Sequence, residues 1–153
     1  MGGGNVTDKQ TLSERERSAW AELRQVVEEL PRERLEEPTV TADGWTVKDV
    51  LWHIAHWWNH FADLLDRMRE GTFVEPPEDE EATDAENARV LEESRSLSLE
   101  EVERGLEAAR ARMLAAWEAL PELDEPAERW FGWETYEHYE EHLADLRRFA
   151  EAG

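Results

Sequence analysis

An all-α bundle of four main helices is the fold class this sequence predicts, and three observations carry it. Apolar residues recur at three- and four-residue spacing in successive stretches, most of them opened by a Ser or Thr cap and closed by Gly or Pro. No segment alternates apolar and polar residues between turn signals, as a half-buried strand would. At 153 residues and 40% hydrophobic, the chain suits one domain that buries roughly two-thirds of the surface it exposes unfolded.

Residues 1–11 are Gly-rich and polar and read as a flexible tail, with the bundle domain at residues 12–151. Gly2 to Gly4 lacks the strand and helix of a phosphate-binding loop, and Asn5-Val6-Thr7 matches a glycosylation acceptor only by chance, since no secretion signal accompanies it. Ser13 with Glu16 has the form of a capping box. Trp20, Leu23, Val27 and Leu30 then share one face until Pro31 stops the first helix. Residues 32–45 hold Pro38 and Gly44 without a period and read as a connecting loop.

The second helix runs from Thr46 to Gly71 and organises the rest. Thr46 and Asp49 suit its N-terminus and Gly71 its left-handed end. Its apolar arc is Val47, Val50, Ile54, Trp57, Phe61, Leu64, Leu65 and Met68. His53 falls at the edge of that arc, His60 slightly further out, and His56 beyond both, among Asn59, Asp63 and Arg67.

Residues 72–82 contain two prolines and four consecutive acidic residues, a composition that stays solvated or forms an acidic lip over a pocket. Thr83 with Glu86 opens a short helix through Leu91. Ser98 with Glu101 caps a longer one whose face is Val102, Leu106, Ala109, Met113, Leu114 and Trp117, ending at Leu120-Pro121. Together they read as a third helix broken near Ser96. Residues 123–128 form another acidic linker, and Arg129 to Trp133 lead into a last helix running to about Ala150, with Tyr139, His142, Leu143, Leu146 and Phe149 inward and His138 at the edge. The long second and fourth connections permit crossovers.

Charge and composition exclude several functions. A net charge of -21 repels phosphate backbones and anionic lipid, so neither nucleic acid nor membrane is an expected partner. Without Cys there is no disulfide, thiolate ligand or protein thiol nucleophile. No signal peptide or membrane-length apolar run is present, and the expected location is the cytoplasm. Eight Trp residues, six of them beside the histidine-bearing stretches, either line a pocket or fill the core.

All five histidines lie in two of the expected helices. His138 and His142 are four apart, which puts their Cβ atoms about 6 Å apart on one face. Side by side, the two helices would form a three-histidine site for a divalent ion such as zinc, nickel, copper or iron, with a coordination position left open. The alternative is that these are hydrogen-bonded histidines at the core edge that bind nothing. Asp49, Glu134, Glu141 and Asp145 each lie about a turn from a candidate ligand, where a carboxylate could accept the second imidazole N–H. Trp57, Phe61, His56 and His60 are the candidate pocket residues.

The stretch Gly44-Trp45-Thr46-Val47-Lys48-Asp49-Val50-Leu51-Trp52-His53-Ile54-Ala55, with Thr135-Tyr136-Glu137-His138-Tyr139-Glu140-Glu141-His142-Leu143, resembles the two signature segments of the DinB/YfiT-like superfamily. That superfamily includes the N-terminal domain of mycothiol-dependent maleylpyruvate isomerase. The resemblance implies a four-helix bundle of DinB-like type holding a divalent metal, commonly zinc or nickel, on three histidines. The positions matching the family's ligands are His53, His138 and His142. His56 and His60 are extra to that pattern, and the expectation is of a single bundle domain without the second domain of the larger isomerases. Members with known activity couple small thiols to electrophiles or isomerise through a thiol adduct.

The expected function is therefore a metal-dependent thiol transferase or isomerase acting on a small-molecule electrophile. Arg far outnumbers Lys, as in GC-rich genomes, many of whose Gram-positive owners use mycothiol, so mycothiol is the first choice of cosubstrate and bacillithiol the second. Two other readings compete: a non-catalytic bundle that sequesters a small apolar molecule, and a stress-associated homodimer. Turnover separates the first from both.

Overall fold

The computed structural model describes residues 8–152, so the Gly2 to Gly4 run and the Asn5-Val6-Thr7 triplet lie outside it. The described residues form α1 (Lys9–Glu28), a 3-10 turn (Arg32–Glu36), α2 (Val47–Glu70), α3 (Glu80–Arg95), α4 (Leu99–Ala119), α5 (Glu125–Glu134) and α6 (Tyr136–Ala152), with no strand among them. This is an all-α bundle of the DinB-like type. α1 packs along α6, and α2 packs on α4 while also touching α3, α5 and the 3-10 turn.

Local signals account for α2 as expected. Thr46 and Asp49 form a reciprocal capping box, each side chain bonding the other's backbone N–H at 2.9 Å, and Gly71 closes the helix at φ 78°. Asp49 also accepts from the Ser94 hydroxyl at 2.7 Å, and Lys48 donates to the Leu97 carbonyl at 2.7 Å. Both bonds pin the start of α2 to the α3–α4 junction, where the chain breaks at Ser96. The ring of Trp52 lies over Gly105, where a Cβ would come within 2.4 Å of it; only glycine lets α4 approach α2 there.

The first helix begins earlier than its pattern implies. Asp8, not Ser13, is the cap, accepting from the Thr11 N–H at 2.8 Å, and residues 9–11, expected in the tail, are helical. Ser13 instead accepts from the Trp117 indole at 2.9 Å, and Glu16 is buried. A three-residue cap pattern also arises inside a helix whenever two polar side chains face a neighbour.

Other boundaries shift for related reasons. α3 starts at Glu80 rather than Thr83, capped by Asp79, because carboxylates of the acidic run favour the positive end of a helix. The expected linker after Leu123 is helical from Glu125, with Asp124 as cap and Pro126 in the first turn, where its missing N–H costs nothing. The buried stripe of α2 is rotated slightly from the expected arc, with Trp58 fully buried and Trp57 partly exposed.

At the bundle's centre, side chains from four helices form one polar chain. The Trp58 indole donates to the Tyr139 hydroxyl at 2.9 Å, which donates to Glu16 at 2.7 Å, and Arg110 donates to the other Glu16 oxygen at 2.7 Å. Burial and the adjacent Glu16 charge push the Tyr139 phenol well above its ordinary range, so its proton stays in the chain.

Tyr139→Phe should therefore lower unfolding stability by about 1–3 kcal/mol, since it strands the Trp58 donor and a Glu16 oxygen. Urea denaturation read at constant m-value checks this; an unshifted midpoint would show that the chain contributes nothing.

Candidate metal centre

Three imidazoles from two helices converge beside the bundle core. His53 comes from α2, and His138 and His142 come from consecutive turns of α6. Tyr139 faces the centre between them, so both α6 histidines point to the same side of it. The Nε2 atom of His138 lies 3.0 Å from Nε2 of His53 and 3.0 Å from Nε2 of His142. One ring nitrogen from each residue lies within 4.8 Å of those of the other two. Trp45 meets the His53 ring edge-on at 5.3 Å and holds its plane.

Burial makes these rings neutral. His53 is pushed down to about 3 and His142 to about 4, and His138 well below the usual imidazole range. Loss of hydration is the main cause for all three; the neighbouring His142 adds to it at His53 and His138, and Asp145 partly offsets it at His142.

A neutral imidazole carries one proton, which poses a problem that a cation solves. Nε2 of His138 carries either one lone pair or one N–H, so with mixed tautomers it makes one good hydrogen bond and leaves its second 3.0 Å neighbour poorly matched. With all three protons on Nδ1, three lone pairs point together, the arrangement a cation satisfies. An ion bound by nitrogens at about 2.0–2.1 Å keeps them no more than about 4 Å apart, and the 3.0 Å pairs satisfy that limit. The donor set fits a divalent ion.

The carboxylates expected behind the rings are engaged elsewhere. Asp49 is consumed by Thr46 and Ser94, and Asp145 by Arg148. The Nδ1 atoms of His53 and His138 are buried without a hydrogen-bond partner. Glu134, at the C-terminal end of α5, and Glu141 line the cavity in front of the rings instead. Burial raises the Glu134 carboxyl above its usual range, and its Oε2 has no partner, lying 3.9 Å from Nδ1 of His60.

That cavity is about 500 Å³, with walls from Trp45, Trp57, Trp130 and Asn87. Of the expected pocket residues, Trp57 lines it, its indole fixed by Asn87 at 2.9 Å. His60 lines an adjoining cavity. His56 turns away to Glu86 at 3.1 Å. Phe61 does not line either cavity: it is fully buried, its ring 6.1 Å from Phe131, because one position of helical phase separates a wall residue from a core residue. Asn87 and Thr83 were not legible as site residues. They sit on α3, whose sequence is polar on nearly every face, and nothing in it singles them out.

A family model described as mycothiol maleylpyruvate isomerase N-terminal domain matches residues 17–152. No curated protein and no solved structure matches the chain.

The three depressed imidazoles have a thermodynamic consequence in metal-free protein. Unfolded histidines take up protons below about 6.5 whereas the folded ones resist down to about 4 and 3, so stability is full above 6.5 and declines as pH falls. Between pH 6.5 and 5, stability should drop by the order of 1 kcal/mol per pH unit per imidazole. Replacing all three with Gln should flatten that slope; an equally steep slope in the triple variant would assign the loss to other groups.

Proposed function

Because the chain belongs to the mycothiol maleylpyruvate isomerase N-terminal domain family, we propose that it is a metal-dependent enzyme joining or rearranging small molecules through a low-molecular-weight thiol. His53, His138 and His142 would hold one divalent ion, zinc or nickel, by their Nε2 atoms. The observation that carries the reading is the convergence of three neutral imidazoles, one buried and two half-buried, on a cavity large enough for a small substrate. The chain has no Cys, so the sulfur comes from a cosubstrate, with mycothiol first and bacillithiol second. Such thiols are cytoplasmic reagents, which is where we place the protein.

When bound, the ion supplies a positive charge that lowers the pKa of a thiol beside it. The chain's own residues do the rest. Trp45 fixes the His53 ring, while Trp57 and Trp130 exclude water and pack on an apolar electrophile. Glu134, whose carboxyl holds its proton to higher pH than usual, and Glu141 are the groups placed to take or return one. With a chlorinated aromatic, the S–C bond forms, the C–Cl bond breaks, chloride departs and the thiol proton passes to a carboxylate or solvent.

Maleylpyruvate itself suits the cavity poorly. It is a dicarboxylate, and among the residues lining this cavity and its neighbour Arg129 is the lone Lys or Arg, already held by Glu75 and Glu125. An uncharged or cationic electrophile fits better. A second reading, sequestration of a small molecule without turnover, draws support from the same indole walls.

Elemental analysis of untagged protein should find one divalent ion per chain. His53→Ala, His138→Ala and His142→Ala should each weaken its binding by about tenfold or more, and His56→Ala should not. Metal-loaded protein should accelerate mycothiol conjugation to a chlorinated aromatic and lose the rate on chelation. Full occupancy with no turnover across mycothiol, bacillithiol and glutathione would leave the sequestration reading in its place.

A further inference from the structure

The histidine cavity continues past Trp57, Thr83 and Trp130, residues it shares with a second cavity of about 530 Å³. We propose that this second cavity is a binding site for an organic cation, an amine or quaternary ammonium carried on an apolar body. The claim goes beyond the thiol chemistry above and stands whether or not the histidines hold an ion.

The walls are indole rings. Trp130 and Trp133 meet edge to face at 5.3 Å and an angle of 76°, with Trp57 on the shared side. An indole face attracts a cation, and three indoles line this one cavity. Trp133 is 43% exposed, and Val74, beside this cavity in sequence, is the other large apolar residue exposed among those described.

Three carboxylates, Glu75, Glu78 and Asp79, line this cavity against one cation, Arg129. The indole N–H of Trp57 is committed to Asn87 and that of Trp130 to Glu75, each at 2.9 Å. Arg129 is bonded to both oxygens of Glu75 at 3.0 and 3.1 Å and to Glu125 at 2.8 Å. Two carboxylates therefore offset its charge, and it offers little to an anion. Glu78 and Asp79 add negative charge at the rim. His60 lines this cavity as well, and Glu134, whose Oε2 lies 3.9 Å from Nδ1 of His60, lines the histidine cavity beside it.

Arg129 already shows the preference at work: its guanidinium lies 5.1 Å from the Trp133 ring centroid while carboxylates hold its other side. A ligand ammonium would meet the same pairing of ring faces and acceptors. The net charge of -21 enriches cations near the mouth and repels anions. A ligand filling both cavities would place its apolar body between Trp57 and Trp130.

The test uses three probes with one phenyl ring and different charge: phenethylammonium, phenethyl alcohol and phenylacetate. Each is titrated by calorimetry into metal-free and metal-loaded protein at pH 7.5 and 0.3 M NaCl, where attraction to surface charge is largely screened. The cation should bind at least about fivefold tighter than the alcohol, and phenylacetate weakest, with or without metal. Trp133→Leu and Glu78→Gln should each weaken the cation by about threefold or more, while Trp133→Phe retains most of the affinity because it keeps a ring face. Helicity by circular dichroism confirms that the variants are folded. Equal binding of all three probes, preference for phenylacetate, no cation binding at millimolar concentration, or cation binding unmoved by both Trp133→Leu and Glu78→Gln would each overturn the proposal. Loss of the metal site alone would not alter these binding results, so failure of the thiol reading is distinguishable from failure of this one.

Discussion

The hydrogen-bonded chain Trp58–Tyr139–Glu16–Arg110 sets the geometry on which the rest of the molecule depends. It draws one residue from each of α2, α6, α1 and α4. Apolar packing alone tolerates small rotations of a helix about its axis, because one branched side chain replaces another at little cost. A buried carboxylate does not tolerate them, since losing either donor leaves a desolvated charge uncompensated. On a helical wheel of about 100° per residue, His138 and His142 lie about 100° and 60° from Tyr139 on one side. Anchoring the tyrosine hydroxyl therefore aims both imidazoles, and anchoring Trp58 on α2 sets the turn that carries His53.

The site lies where the bundle's apolar cover gives way to α3. That helix buries only Val90 and Ser94, so apolar burial contributes little to its position. Indole N–H groups reach across from α2 instead: Trp52 to Glu93 at 2.8 Å and Trp57 to Asn87 at 2.9 Å. The arrangement explains the many tryptophans without a single role for all of them. Trp58 and Trp117 are fully buried, Trp52 and Trp57 latch α3, and Trp45, Trp57 and Trp130 shape the cavity. An amphipathic ring suits a boundary that is dry on one side and polar on the other.

Charge is organised on two scales. Across the surface, arginines are taken up by neighbouring carboxylates, as in the Arg89–Glu86, Arg112–Asp63 and Arg147–Glu22 pairs, and the excess negative charge is left over. Among the described residues lining the histidine cavity and its neighbour, the one guanidinium, that of Arg129, is held by Glu75 and Glu125. The three clustered imidazoles add no positive charge, since burial holds them neutral.

Much of this was legible in the chain because it is local. Thr46, Asp49 and Gly71 bound α2 through hydrogen bonds and a backbone angle within a few residues, and the four-residue spacing of His138 and His142 places them together on any helix. The resemblance of two segments to a known family extended that reading to His53. Other features depended on partners distant in sequence. Ser13 and Glu16 have the form of a cap, but Trp117, Tyr139 and Arg110, roughly a hundred residues away, turn them into parts of the core. Phe61 and Trp57 share an apolar arc on the wheel, yet the rotation of α2 sends one into the core and the other to the cavity wall. The sequence by itself determined the helices, their faces and the excess of acid over base. Only the tertiary structure decided which side chains meet, because convergence of three imidazoles depends on relative helix rotation, and long-range contacts alone set that rotation.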